Sequence, residues 1–388
     1  MTAIPLLLSA GEASGDLYAA RLATALRARA DVSFFGMGGP HMRAAGVNVV
    51  ADYTEVSVVG FSEVLRKLPA LRRAMRRLLA EADLRRPPFS ILTDFPSFHL
   101  RLARRLCRRG IRNIYYVCPQ FWAWRPWRAR LLRRRFVQAL CIFPFEGQFY
   151  SQAGVPVKFV GHPLVGEMRA SLSRRDFCGA HALDPGEPVV TLLPGSRYGE
   201  VDHHLPVLVE ACRLIRLDEP SAQFVLAAAP GLGAEHLLAA LPPLSRFVLV
   251  QGQTSNALAA ADVAILSSGT ATVEAALLDV PMVVIYRLAP LSALLIKPFV
   301  RAPFFSMVNI LAGRRVVSEL IQRDFTPARV AEETLRLLHS PDAVQVMRSG
   351  LAEVRLRLGT PGAVERAADA IAALLAPVAA RGTEQNGL

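Results

Sequence analysis

Val189-Val-Thr-Leu-Leu193-Pro-Gly195-Ser196-Arg197-Tyr-Gly-Glu200 carries five apolar or β-branched residues straight into a Pro-Gly-Ser turn and then into a helical pattern. About seventy positions on, Val263-Ala-Ile-Leu-Ser267-Ser268-Gly269-Thr270-Ala-Thr-Val-Glu274 repeats the arrangement. Each stretch places small residues where a strand hands over to a helix N-terminus, and there unpaired backbone N–H groups and the positive end of the helix dipole favour an anion. Arg197 adds a guanidinium whose planar fork matches phosphate oxygens. Either turn alone is ordinary turn chemistry. Two of them, at strand ends of one apparent sheet, predict a diphosphate seat built from Gly195, Ser196, Arg197, Ser268, Gly269 and Thr270.

Outward from these stretches, strands are expected at Phe224–Ala228, Phe247–Val250 and Met282–Ile285, with helices between them, the spacing of a parallel sheet. The first half repeats the plan. A strand from Ile4 to Ala10 runs into Gly11-Glu12-Ala-Ser14-Gly15-Asp16 and a helical pattern, so a glycine loop falls on the usual ligand side of an open α/β sheet. It is not G-x-G-x-x-G, which argues against a dinucleotide. A strand at Val32–Phe35 is followed by a glycine turn at Gly36-Met-Gly38-Gly39. Strands at Ser90–Thr93, Asn113–Val117 and Ala139–Phe143 follow. Asp94 stands at the end of one of them, where an acid points toward a ligand, and is the first candidate for a general base; capping the next helix is its competing role. The fold class is therefore α/β with two parallel-sheet domains, 1–163 and 164–350, and a C-terminal helical segment, 351–388, expected to pack back toward the first domain and to end in a disordered tail.

The charge is uneven. Residues 1–163 hold 25 Lys plus Arg against 10 Asp plus Glu, a net of +15, whereas residues 164–388 hold 20 against 22. No acid occurs between Asp94 and Glu146, but twelve arginines do. Such a field draws nucleic acid, anionic lipid or phosphorylated substrates. Three tryptophans, Trp122, Trp124 and Trp127, stand among Arg125 and Arg128, a pattern suited to stacking or to a lipid interface. From Phe61 to Leu79 apolar residues recur at three and four with arginines between them, which reads as a basic amphipathic helix interrupted or kinked near Pro69, packed on the core or lying in a membrane interface. Leu288–Phe305 is apolar but broken by prolines and cations, an interfacial hairpin or lid rather than a span. Five cysteines without a C-x-x-C pair argue for a reduced compartment and no zinc site, and the N-terminus reads as a strand rather than a signal peptide. A cytoplasmic protein is expected.

Gly11-Glu-Ala-Ser-Gly-Asp16, Trp122-Ala-Trp-Arg125, Phe145-Glu146, Gly161-His-Pro163, Leu193-Pro-Gly-Ser-Arg197, Ser268-Gly-Thr270 with Glu274, Pro281-Met-Val-Val284 before Tyr286-Arg287, and Asn309-Ile-Leu-Ala-Gly313 together resemble the lipid-A-disaccharide synthase family across nearly the whole chain. The resemblance implies the GT-B fold, two Rossmann-like domains whose parallel sheets face a cleft. It also implies inverting transfer of 2,3-diacylglucosamine from UDP-2,3-diacylglucosamine to the 6-hydroxyl of 2,3-diacylglucosamine 1-phosphate. On this reading Asp94 is the base, Glu12, Ser14, Gly15 and Asp16 orient the acceptor, and Arg197, Ser268, Gly269 and Thr270 hold the departing UDP. Glu274 takes the ribose hydroxyls, and Glu200, Gly252, Asn309 and Gln322 complete the donor site. No Asp-x-Asp occurs to hold a metal against a diphosphate, so neither metal nor cofactor is expected. The partners implied are the two diacylated sugars and the anionic inner face of the cytoplasmic membrane, with no nucleic acid and with a homodimer left open.

The chain departs from the family's pattern in places. Ser97 and His99 replace the second acid and the amide after Asp94, and Cys118-Pro-Gln120 replaces Ser-Pro-Ser. His99 is thereby a second candidate to assist or replace Asp94. The rival readings are a UDP-sugar epimerase of the same fold, a glycosyltransferase with another acceptor and, from the basic half alone, a nucleic-acid binder.

Overall fold

The computed structural model describes residues 3–56, 61–229, 231–239, 241, 247–288 and 303–385. The chain forms two compact units: Met1–Pro163 together with Leu358–Leu388, and Leu164–Arg357.

The first unit alternates β1 (Ile4–Ala10), α1 (Ala13–Arg27), β2 (Val32–Gly38), α2 (Pro40–Ala44), β3 (Asn48–Asp52), α3 (Tyr53–Val56), α4 (Phe61–Arg85), β4 (Phe89–Thr93), α5 (Pro96–Cys107), β5 (Arg112–Tyr116), α6 (Phe121–Trp124), α7 (Ala129–Arg135), β6 (Gln138–Cys141), α8 (Pro144–Gln152) and β7 (Val157–Phe159). The strands pair in parallel in the order β3-β2-β1-β4-β5-β6-β7. Every residue of β4 is buried, as a strand covered by helices on both faces requires. Strand β2 continues to Gly38, beyond the expected turn at Gly36. Gly36 lies against the Leu8 backbone, where a Cβ has no room, so the glycine serves close strand approach rather than a turn. Strand β3, short and half exposed at the sheet edge, has no strong apolar run to announce it.

Helix α4 runs through Pro69 as one element. Its stripe of Ala74, Met75, Leu78, Leu79 and Ala82 is buried in the core, while Arg72, Arg73, Arg76 and Arg77 are exposed. Over this stretch the core-packed reading holds and the stripe is not available to a lipid interface. The side chains of residues 61–67, which began the predicted pattern, lie outside the described residues, as does most of the Leu288–Phe305 segment.

The second unit holds α9 (Arg174–Ala180), β8 (Val189–Leu193), α10 (Tyr198–Asp218), β9 (Gln223–Ala228), α11 (Ala234–Ala239), β10 (Phe247–Gln251), α12 (Thr254–Ala259), β11 (Val263–Ser267), α13 (Thr270–Leu277), β12 (Met282–Tyr286), α14 (Met307–Ala312), β13 (Ser318–Ile321), α15 (Pro327–His339) and α16 (Pro341–Arg357). Its parallel sheet has the order β10-β9-β8-β11-β12-β13. The last helix, α17 (Ala363–Gln385), returns to the first unit. It buries Ala363, Val364, Ala367, Ala368, Ile371 and Leu375 at helical spacing, packs on α1, and Arg366 donates to the Val160 carbonyl at 2.8 Å. Among the described residues no helix is long and apolar enough to cross a membrane.

Candidate active site

In each sheet the strand order reverses once, between β1 and β4 in the first unit and between β8 and β11 in the second. Ligands of open α/β sheets bind outside the carboxyl ends of the strands at such a switch point. Gly11–Asp16 follows β1 and Asp94 follows β4, so the two candidate acidic motifs meet at the first switch point. Gly195–Glu200 follows β8 and Ser268–Glu274 follows β11, so the two predicted anion turns flank the second.

Asp94 does not cap its own helix. Its Oδ1 accepts the Gly11 backbone N–H at 2.8 Å, and the Glu12 N–H also favours the ionised form, so the carboxylate sits at the N-terminus of α1. Its Oδ2 is sealed, has no partner among the described residues, and rests where a Cβ on Gly15 would be. Gly11 has no room for a Cβ either, because Phe95 fills that place. The backbone is left-handed at Asp94 (φ 55°) and Phe95 (φ 42°), an unfavourable state for two non-glycine residues in succession. Burial, followed by the neighbouring Glu12 charge, raises the Asp94 pKa well above the usual carboxylate range.

His99 is not available as a base. It is fully buried, its Nδ1–H donates to the Asp94 carbonyl at 2.8 Å, and its Nε2 faces Ser9 Oγ at 2.8 Å. Burial lowers its pKa to about 4, so it stays neutral and acts on the backbone of the strained residue. Tyr115, unmarked by any sequence motif, donates its hydroxyl to the same carbonyl at 2.6 Å. Asp16 is likewise no acceptor ligand in this structure. Fully buried, it accepts the backbone N–H groups of Gly39, His41 and Met42 at 2.6, 2.9 and 3.3 Å and so fixes the β2–α2 turn. Glu12 and Ser14 are exposed at the first switch point. Tyr53, whose ring packs on Gly39 and whose hydroxyl pKa is raised by burial and then by the charges of Asp16, Asp52 and Asp94, carries no signal in the sequence because strand β3 before it has no apolar run.

In the second unit, Gly195 has φ 145° and no space for a Cβ beside Glu200. Glu200, in the first turn of α10, accepts the Ser196 backbone N–H at 3.0 Å and pairs with Arg197 at 3.2 Å. Its carboxylate therefore lies on the turn predicted to seat a phosphate. Ser268 Oγ donates to the Phe305 carbonyl at 2.7 Å, which leaves the N-terminus of α13 behind Gly269 and Thr270. The buried Ser267 Oγ, one residue earlier, has no partner among the described residues. Glu274 lies in the second turn of α13 with its pKa raised by burial, and among the described residues no side-chain partner holds it.

Asn309 is buried and wholly committed. It accepts the Val316 and Val317 N–H groups and donates to the Val317 carbonyl and to Glu319, so it ties α14 to β13 rather than reaching a nucleotide. Glu319, absent from the sequence reading, also accepts the N–H groups of Phe305 and Ser306. Gln322 follows β13 with a left-handed backbone (φ 56°), its N–H bonded to the Tyr286 carbonyl at 2.9 Å and its carbonyl to Arg287. The sheet order thus brings the ends of β8, β11, β12 and β13 side by side. Gly252 follows β10, at the far edge of the same sheet, with φ 68° and open space around it.

Of the aromatic segment, Trp122 turns inward: its Nε1–H donates to Glu146 Oε1 at 3.3 Å and its ring meets Phe145 edge-on. Trp127 is 60% exposed, with the Arg128 guanidinium 5.4 Å from its ring. Glu146 is fully buried in the first turn of α8, and burial raises its pKa to about 8.

The family model described as lipid-A-disaccharide synthetase matches residues 6–372. The lipid-A-disaccharide synthase of Solibacter usitatus is 44% identical over 95% of this chain and 97% of its own length, and that of Myxococcus xanthus 41% identical over 96% and 98%. Among solved structures, the UDP-GlcNAc 2-epimerase of Neisseria meningitidis superposes with a TM-score of 0.66 at 11% identity, covering 95% of this chain and 99% of that one. A calicheamicin glycosyltransferase does so at 0.59 and 19%, covering 98% and 100%. Two parallel sheets whose strand order each reverses once accord with these matches: the chain belongs to the lipid-A-disaccharide synthetase family and is a glycosyltransferase of the GT-B fold.

Proposed function

We propose that this protein transfers 2,3-diacylglucosamine from UDP-2,3-diacylglucosamine to the 6-hydroxyl of 2,3-diacylglucosamine 1-phosphate, with inversion at the anomeric carbon. The observation that carries the reading is the full-length likeness to relatives that bear this name. In this scheme the first unit supplies the base and the second holds the nucleotide. Asp94 takes the proton of the acceptor hydroxyl as that oxygen attacks the anomeric carbon and the bond to UDP breaks. An unpartnered Oδ2 with a raised pKa suits that task, since a base gains strength as its pKa rises toward the working pH. The left-handed Asp94–Phe95 backbone, held through the Asp94 carbonyl by His99 and Tyr115, fixes where that carboxylate stands.

Charge that builds on the departing diphosphate is met by Arg197 and by the N-termini of α10 and α13, once Glu200 gives up the Ser196 N–H. Glu274 accepts from the ribose hydroxyls. The exposed arginines of α4, with Trp127 and Arg128, form the surface that meets an anionic membrane carrying the diacylated substrates. A transfer assay with radiolabelled donor, run with and without the acceptor, tests the reading. Disaccharide 1-phosphate and UDP formed only when both sugars are present is the expected result; turnover of the donor alone to an epimer overturns it.

A further inference from the structure

His204, seven residues into α10, is fully buried and joins the exits of β8 and β12, the two strands on either side of β11. Its Nδ1 lies 2.6 Å from the Pro194 carbonyl, immediately before Gly195 and Ser196, and its Nε2 accepts the Arg287 backbone N–H at 2.9 Å, immediately after β12. The Pro194 carbonyl can only accept and the Arg287 N–H can only donate, so the partners fix the neutral tautomer with its proton on Nδ1. Tyr286 and Phe325 close edge-on around the ring at 5.7 and 5.5 Å. Arg287 then carries the brace onward, through Nη2, to the carbonyls of Gln322 and Phe325. In the sheet, β11 lies between β8 and β12. One imidazole therefore spans the strand that ends in Ser268–Thr270 and sets the spacing of the loops on either side of it.

We propose that His204 is a positioning residue for the nucleotide: it holds the Pro194–Arg197 turn at fixed register against the end of β12, so that the backbone of the turn is already in place for a diphosphate and only Glu200 has to release the Ser196 N–H and Arg197. The inference rests on the reading of this turn as the diphosphate seat. A resting brace of this kind lowers the ordering cost of binding and acts on affinity more than on the chemical step.

The test is calorimetric titration of the full chain with UDP, alongside donor kinetics and thermal melts. His204→Phe, which keeps the ring and loses both bonds, is expected to weaken UDP binding about tenfold and to raise the donor KM similarly, with kcat at saturating donor within about threefold. His204→Asn, whose amide reaches the Pro194 carbonyl, is expected to recover most of the affinity. His204→Gln, which reaches the Arg287 side, is expected to recover less. If wild type binds UDP and all three variants match it while melting lower, His204 is merely structural and the inference falls alone. Should His204→Phe fail to fold, equal affinity of the Asn and Gln variants to wild type overturns it as well. Failure of wild type to bind UDP removes the diphosphate seat and the inference with it.

Discussion

Asp94 Oδ2 and Gly15 occupy one space: the carboxylate oxygen rests on the glycine where any side chain would begin. The second glycine of the Gly11–Asp16 loop is thus a packing partner of an acid nearly eighty residues away. Gly15→Ala must displace Asp94 or the start of α1. We expect transfer to fall at least about a hundredfold, on the scale of a misplaced reacting group, with UDP affinity, which we assign to the other unit, unchanged. Unaltered turnover in Gly15→Ala would show that the contact has no bearing on the reaction.

Asp94→Asn keeps an acceptor for the Gly11 N–H and removes the charge. Transfer should drop by about 10²–10⁴, as for loss of a general base. Because the folded-state pKa is raised, the native protein holds the Asp94 proton more tightly than the unfolded chain, and stability from this group is full at low pH and lost as pH rises past the ordinary carboxylate range. The melting temperature of Asp94→Asn should therefore gain on wild type as pH increases. A melting temperature of Asp94→Asn that falls relative to wild type as pH rises refutes the assignment of charge.

Glu146 offers the same sign in a defined window. With its pKa near 8 in the fold against an ordinary value near 4.5, wild type loses stability relative to Glu146→Gln as pH climbs from about 4.5 to 8. Gln retains an acceptor for Trp122, so paired melts at pH 5 and pH 8 isolate the charge. Parallel curves for the two proteins would be the contrary result.

Arg197 and Glu200 should respond in opposite directions. Arg197→Ala is expected to cost about 2–4 kcal/mol in kcat/KM, the range for a lost donor to developing charge. Glu200→Gln removes the anion that competes with a phosphate for the Ser196 N–H and Arg197, and UDP should bind it several-fold more tightly by calorimetry. Weaker UDP binding in Glu200→Gln would make that carboxylate a supporting ligand instead.

Sedimentation with anionic vesicles should carry the protein down at low salt and release it as salt rises, since the exposed arginines of α4 act through screened charge. Attachment indifferent to salt would point to apolar insertion through Trp127 and its neighbours.

The strand exits were legible in the sequence because buried parallel strands write themselves as short apolar runs, and glycine, serine and proline punctuate them. That sufficed for the α/β class, for the turns at Gly195–Arg197 and Ser268–Thr270, and for Asp94 at a strand end. Side-chain partnership was not legible. Asp16 and Asn309 look like site residues by their motifs, yet Asp16 spends its carboxylate on backbone N–H groups, and Asn309 spends its amide on backbone groups and on Glu319. Glu200 lies on the turn predicted to seat a phosphate and accepts the Ser196 N–H. His99 and His204, one in each unit, are neutral braces whose partners lie at Ser9 and Arg287, far along the chain. Local sequence sets which backbone ends in a turn, because that depends on neighbours within a few residues. Which polar group satisfies which is set by burial, where every donor must find its acceptor among whatever the fold has brought within reach.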